Sequence, residues 1–235
     1  MKALNHMYEQ NRKSLNAYVG CEHGCVYCKP SFQRQMKRQR CELCKSYTPH
    51  FHPERLLKAP PRTQGDGFIF FPSSADLAFA SRSEVQAHID YAEKYLDRTF
   101  LIQSKAPAFM QKHKFPSNVV LATTLETNLS LYETPSKYKS YKEISSAPHP
   151  FWRFLDMLNI GHSRLIVTVE PILQFTMLLA QWIKEIGPEA VYVGYDNHNC
   201  KLPEPRLNKT LELIERLERF TEVRRKTLRK AWWEP

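Results

Sequence analysis

Apolar and polar positions follow two rhythms along the chain. Residues 15–20, 67–74 (GFIFFPSS), 99–104 (TFLIQS), 118–125 (NVVLATTL), 164–169 (RLIVTV) and 190–194 (AVYVG) are short runs dense in β-branched and aromatic side chains, the composition of strands. The stretches between them carry apolar residues three or four apart, as one face of a helix requires. Val85, Ile89, Ala92 and Leu96 do so first. Phe175, Leu178, Leu179, Trp182, Ile183 and Ile186 repeat the spacing, as do Leu207, Leu211, Ile214, Leu217 and Phe220. Residues 151–160 and a shorter stretch led by Pro107 also read as helical, and residues 130–147 as a polar loop. Six strand-then-helix units predict a parallel sheet, because each parallel strand needs a crossover before the next. The runs are apolar almost throughout, which predicts a sheet covered on both faces. The expected fold class is α/β, as an open doubly wound sheet or a partial barrel of six βα units.

Both closures put a functional site at the carboxyl ends of the strands, and polar residues gather there. Cys21 follows the first run; Ser73, Ser74 and Asp76 the second; Gln103, Ser104 and Lys105 end the third. Thr124 and Glu126 follow the fourth, Glu170 the fifth, and Asp196 and Asn197 the sixth. Each of these positions also suits a group that caps the next helix or shapes a turn.

Composition narrows the class. The chain has 235 residues, and its 42% hydrophobic content allows a real core and excludes global disorder. No apolar run is long enough to span a bilayer, and the first twenty residues lack the apolar centre of a secretory signal. Six cysteines in a chain this long fit a reduced, cytoplasmic setting, where clustered thiols bind metal or do chemistry. The net charge of +10 is unevenly spread. Residues 1–58 hold 11 basic and 4 acidic side chains and residues 221–235 hold 5 and 2, while the middle is neutral. Basic ends favour a polyanion such as nucleic acid, or simply keep a surface solvated.

Cys21, Cys25 and Cys28 stand at Cys-x3-Cys-x2-Cys in CEHGCVYC. Three thiolates on one loop can converge on a four-iron cluster and leave one iron without a protein ligand. A structural zinc site, or thiols that merely lie near each other, are the competing readings; zinc sites favour two separate Cys-x2-Cys pairs.

The segment, with Tyr27 just before its last cysteine, resembles the signature of the radical S-adenosylmethionine (SAM) superfamily. FFPSSADL (70–77), TTLETN (123–128), VTVEPIL (167–173), VGYDN (193–197) and LPEP (202–205) narrow the resemblance. They are similar to segments of a group of short, phage- and prophage-associated radical-SAM-like proteins. Lys29 stands where such proteins often carry a second aromatic residue. The resemblance covers nearly the whole chain and implies a single domain over 1–235 with a partial (βα)6 TIM-like barrel. It also implies a [4Fe-4S] cluster on Cys21, Cys25 and Cys28, and SAM chelating the open iron through its amino and carboxylate groups. One-electron reduction, from a reductant such as flavodoxin or ferredoxin, would cleave the sulfonium bond. The resulting 5′-deoxyadenosyl radical would abstract a hydrogen atom from the substrate. By the same resemblance Tyr27 lies near the adenine, Ser73, Ser74 and Asp76 hold the methionyl end, and Glu126 or Glu170 accepts ribose hydroxyls. Thr124, Asp196 and Asn197 complete the expected cofactor-binding set. Lys105 is a candidate partner for a carboxylate or phosphate.

Residues 29–60 read as a basic insertion. Cys41 and Cys44 form a Cys-x2-Cys pair followed by His50 and His52, a candidate zinc knuckle whose histidines are closer in sequence than the usual spacing. An auxiliary iron–sulfur site, a redox dithiol and unmetallated thiols compete with it. Lys29, Arg34, Lys37, Arg38 and Arg40, with Arg224, Arg225, Lys226, Arg229 and Lys230 of the tail (221–235), are candidates to clamp a phosphate backbone. Phe32, Tyr47, Phe51, Trp232 and Trp233 are candidates to stack on bases. The plainer account is an exposed helix and an amphipathic tail that covers the bottom of the barrel. Cys200, alone after the sixth run, is a buried inert thiol or a hydrogen-atom donor, as in spore photoproduct lyase, a more distant likeness. The leading expectation is a radical SAM enzyme that modifies or repairs a nucleotide or nucleic acid. The alternatives are a radical SAM enzyme on a peptide or small metabolite, and a non-catalytic, zinc-stabilised nucleic-acid-binding protein. No membrane partner is expected.

Overall fold

Every apolar run beyond residue 60 becomes a strand of one parallel sheet in the computed structural model, which describes residues 8–235. The chain order is β1 (Asn11–Ser14), β2 (Tyr18–Val19), α1 (Arg34–Met36), α2 (Glu42–Ser46), β3 (His50–Phe51), β4 (Phe68–Phe70) and α3 (Arg82–Lys94). There follow β5 (Phe100–Ser104), β6 (Val119–Thr124), α4 (Pro150–Leu158), β7 (Leu165–Val169), α5 (Leu178–Ile186), β8 (Ala190–Val193), α6 (Leu207–Leu217) and β9 (Glu222–Arg225). Seven strands pair in the order β1-β4-β5-β6-β7-β8-β9, all parallel, in a sheet curled into a half-barrel.

The α/β class is as expected, but both ends of the sheet differ from the expectation of six units. The first run does not supply the first strand of the sheet. Its Tyr18 and Val19 pair antiparallel with Phe51 and His50 in a separate two-stranded sheet. The sheet strand lies upstream, with the sequence NRKS. At the other end the segment expected as a basic tail supplies a seventh strand, EVRR, against β8. Both edge strands are polar and charged. Charge on an edge discourages pairing with another chain, and it also erases the apolar run by which a strand is recognised.

Strand alternation splits the core in two. Ile69, Phe100, Ile102, Leu121, Val167 and Val191 face the helices and pack with Val85, Phe154, Ile183 and Leu213. Phe154 stacks on Trp182 of the next helix, ring centroids 5.0 Å apart. Each such side chain, fully buried, contributes roughly 1.5–3 kcal/mol. Phe70, Leu101, Ala122, Ile166 and Tyr192 form the opposite face, plugged by Tyr8. Local signals set the helix ends: Ser81 and Glu84 make a capping box at α3, and Gly187, at φ +66°, ends α5 in the left-handed conformation.

The C-terminal segment is docked rather than free to clamp a phosphate backbone. Arg224 pairs with Asp66 and Glu222, and Arg225 with Glu218. Arg229 makes a forked bond to the buried Glu204 at 2.7 and 2.8 Å. The indole nitrogens of Trp232 and Trp233 donate to the carbonyls of Leu202 and Glu204 at 2.8 and 3.0 Å. The tryptophans therefore cover the loop beyond β8, on the carboxyl-end side and not at the bottom of the barrel. Among the described residues, no helix is long and apolar enough to cross a membrane.

Glu204→Ala removes the anchor of this segment. The expected cost is about 2 kcal/mol, less than for a fully enclosed ion pair because Arg229 remains partly exposed. The change in urea midpoint measures it; an unchanged midpoint would show that the segment contributes nothing to the fold.

Candidate active site

The cysteine loop begins at Gly20, where only glycine fits. Its φ is +100°, and a Cβ there would lie 2.4 Å from the Thr48 carbonyl and 2.5 Å from the Pro49 nitrogen. Gly20 also exchanges backbone bonds with the loop after β4, donating to Ser74 at 3.1 Å and accepting from Asp76 at 3.3 Å. The far side of the loop is held by the 130–147 segment. Val26 donates to the Ile144 carbonyl, Ser146 donates to the His23 carbonyl, and Ser145 lies 3.1 Å from Cys25 Sγ.

All three cysteines of the motif are free thiols, Cys25 buried and Cys21 and Cys28 partly so. They share one neighbourhood. Lys105 acts electrostatically on each of them, and Cys28 feels both Cys21 and Cys25. Burial, then Asp76, pushes Cys21 up to about 12. Cys25 is lowered and Cys28 raised, each chiefly by the other, so they titrate as a pair. Burial and the same three thiols raise the Tyr47 phenol.

Glu126, just beyond β6, is fully buried and ringed by donors. Tyr27 donates to Oε1 at 2.7 Å, Tyr141 to the same oxygen at 3.2 Å, and Lys105 also reaches it. Arg153 of α4, itself fully buried, donates to Oε2 at 2.8 Å. Burial alone would raise this carboxyl. Arg153 and Lys105 outweigh it and hold Glu126 down at about 2. Tyr27, expected near an adenine, is thus tied to Glu126, and Lys105 lies over its ring at 5.1 Å.

Asp76 has the same saturated character. His23 Nε2 lies 2.9 Å from Oδ2, Lys105 N donates to Oδ2 at 2.8 Å, and Ser104 Oγ and Ala78 N donate to Oδ1 at 2.6 and 3.0 Å. Burial again acts to raise the carboxyl, but the His23 bond and the others hold it below its usual range. Ser73 donates its hydroxyl to Asn16 Oδ1 at 3.1 Å, whereas the Ser74 hydroxyl is buried without a partner.

Strand parity puts Thr124 on the same face as the Tyr8 plug, and Glu170, just past β7, acts electrostatically on Tyr8. Thr124 is held by Gln103 at 2.8 Å and Thr168 at 3.0 Å, and Gln103 in turn accepts from Tyr8 at 2.6 Å. Beyond this polar layer one oxygen of Glu170 is buried with no partner. Burial pushes its carboxyl up to about 7, with Lys226 opposing. Asp196 accepts the backbone N–H groups of His198 and Cys200 at 3.0 and 2.6 Å, and Asn197 accepts from Thr227 at 2.6 Å. The Asp196 bonds are those of a turn, and the Asn197 bond ties that turn to the C-terminal segment. Cys200 packs in one apolar cluster with Cys25, Tyr27 and Cys28; burial and Asp196 push it up to about 12.

A second group lies behind the loop. The ligand atoms of Cys41, Cys44, His50 and His52 all fall within 4.8 Å of one another. His50 and His52 flank Phe51 on an extended segment, so their rings share one side. Their close spacing in sequence is therefore no obstacle to a common ligand.

Sequence reasoning missed several residues that build the site: Asn16, His23, Tyr141, Ser145 and Arg153. Arg153 sits amid the apolar residues of a helix where a charge reads as solvent-facing. The one available signal was its place among the apolar side chains of PFWRFL, at the start of PFWRFLDML.

No family model, curated protein or solved structure matches the chain.

The raised Glu170 carboxyl has a definite pH signature. Folding holds its proton up to about 7, whereas the unfolded chain releases it near 4.5. Stability therefore falls as pH rises through that window, by up to about 3 kcal/mol. Glu170→Gln is expected to flatten the slope and to be the more stable protein at pH 8. Urea midpoints at pH 5 and pH 8 measure both effects, and equal slopes for the two proteins would contradict this burial.

Proposed function

We propose that the chain is a radical SAM enzyme whose [4Fe-4S] cluster is held by Cys21, Cys25 and Cys28. The carrying observation is that the Cys-x3-Cys-x2-Cys loop lies at the carboxyl edge of a curled parallel sheet with its three thiols in one neighbourhood. In this reading the half-barrel is the partial barrel of that superfamily. When bound, the cluster supplies the electron that cleaves the sulfonium bond of SAM and frees a 5′-deoxyadenosyl radical for hydrogen abstraction.

The chain's own residues then divide the work. Ser74 and Glu170, each with a buried unpartnered oxygen, are the better candidates to meet polar groups of SAM. Asp76 and Glu126 have their acceptor sites filled by protein donors, and their work is to hold the loop: Asp76 through His23, Glu126 through Tyr27. Lys105 joins the two, its backbone on Asp76 and its ammonium on Glu126. The buried thiol of Cys25 and the ring of Tyr27 exclude water from that side.

A nucleotide or nucleic acid is the substrate class favoured here. Lys29, Arg34, Lys37, Arg38 and Arg40 follow directly after the cysteine loop, partly or fully exposed, and none is in an ion pair among the described residues. The tail cations do not add to this patch, because Arg224, Arg225 and Arg229 are engaged within the fold.

Anaerobic reconstitution with iron and sulfide, followed by reductant and SAM, is expected to yield 5′-deoxyadenosine. Cys21→Ala, Cys25→Ala and Cys28→Ala each reduce the yield to background, and Ser74→Ala raises the KM for SAM roughly 10-fold, the worth of one hydrogen bond. A correctly folded protein that takes up iron yet leaves SAM intact would overturn the reading. Replacing Arg34, Lys37, Arg38 and Arg40 by Gln is expected to lower the salt slope of single-strand binding by about 0.7 for each phosphate that is no longer neutralised. An unchanged slope would move the substrate to a peptide or small metabolite.

A further inference from the structure

The geometry points to a structural zinc site on Cys41, Cys44, His50 and His52, which fastens the segment that carries the cysteine loop. Cys44 Sγ lies 3.4 Å from His50 Nε2 and 3.3 Å from His52 Nε2, and Cys41 Sγ lies 3.5 Å from His50 Nε2. A tetrahedral zinc ion with ordinary Zn–N and Zn–S bonds separates a nitrogen from a sulfur by about 3.5 Å. In a four-iron cluster each ligand binds a different iron, and in a Rieske-type two-iron cluster the two cysteines share one iron and the two histidines the other. In both, a sulfur and a nitrogen stand farther apart than this. The donor set therefore suits one ion and not an auxiliary cluster.

The outer partners choose the histidine tautomers. His50 Nδ1 lies 2.7 Å from the Thr48 carbonyl, and His52 Nδ1 lies 2.9 Å from Glu54 Oε1. Neither oxygen can donate, so both Nδ1 atoms carry the proton and both Nε2 atoms present lone pairs. This is the support that zinc-bound histidines receive from a carbonyl or carboxylate. The two Nε2 atoms are 2.8 Å apart. Two lone pairs at that distance repel unless a cation lies between them. A single shared proton would bridge the nitrogens but leave both thiols unused, whereas a divalent ion engages all four groups. With four protein ligands no position remains for substrate, which makes the site structural.

The site sits directly under the cysteine loop. His50 pairs across the small sheet with Val19, two residues before Cys21, and His52 N donates to the Ala17 carbonyl at 2.6 Å. Cys44 is buried against Val19 and Met36. Thr48 and Pro49 form the surface on which Gly20 rests. Tyr47 ends α2 in the left-handed conformation, and its phenol is within electrostatic reach of all three thiols of the loop. An ion that locks residues 41–52 thus locks the entry to the loop. That positioning role rests on the reading above; zinc binding does not.

The test is metal analysis of the full chain purified without added iron. One zinc per chain is expected, retained when Cys21, Cys25 and Cys28 are all replaced by Ala and lost in Cys41→Ser and in His52→Ala. Substitution by cobalt(II) is expected to give the intense visible bands of a tetrahedral S2N2 site in the intact chain and in the triple variant. This readout does not depend on SAM chemistry, and it stands even where a ligand variant folds poorly. Absence of stoichiometric zinc, loss of zinc with the loop cysteines, or a weak octahedral cobalt spectrum would each overturn the site. Hydrogen exchange reads the positioning role: chelation of zinc is expected to speed exchange at Val26 and Gly20, and unchanged exchange there would refute it.

Discussion

The buried carboxylate of Glu126 is the interaction on which the rest of the site depends. It draws together Lys105 from the end of β5, Tyr27 from the cysteine loop, Tyr141 from the long polar loop and Arg153 from α4. A carboxylate and a guanidinium, both cut off from water, are costly to bury unless each finds nearly all of its hydrogen bonds. Here they do: Arg153 also donates to the carbonyls of Thr124 and Pro148. The arrangement contributes less to net stability than to uniqueness. Removing any one member leaves a charge or a hydroxyl stranded, so the pieces are held in a single relation.

A second saturated carboxylate, Asp76, repeats the device on the other side of the loop. It holds His23, while Glu126 holds Tyr27, so the turn that carries Cys25 is gripped at both ends by buried acids. Only Ser74 and Glu170, among the strand-end residues with functional promise, keep a buried oxygen unpartnered. That contrast separates groups that build the mouth from groups with capacity left for a ligand.

Much of this was legible in the sequence. The five inner strands and the four long helices followed from apolar runs and helical spacing, because both faces of the inner sheet are buried and burial is what such patterns record. The edge strands were not legible. NRKS and EVRR bury little apolar surface; backbone pairing and polar side-chain contacts hold them, so their composition does not record a strand. The strand ends could be read as polar positions, but spacing does not distinguish a carboxylate with filled acceptor sites from one with capacity left. Arg153 and Tyr141 were missed for a related reason: a buried arginine is explained only by its partner, and Glu126 lies 27 residues away. For Cys41, Cys44, His50 and His52 the reverse held. The residue types were plain, and the extended backbone at 50–52 was needed to show that two histidines separated by one residue can face the same point.

The central claim is that three thiols at the sheet mouth hold a cluster with one iron left open to a small chelating ligand. Electron-nuclear double resonance on the reduced, reconstituted protein tests it most directly, with SAM labelled at its carboxylate oxygen and amino nitrogen. The account predicts an iron–sulfur signal whose hyperfine structure includes both labels and which is absent when Cys25 is replaced. A reduced cluster that shows no coupling to either label would contradict it.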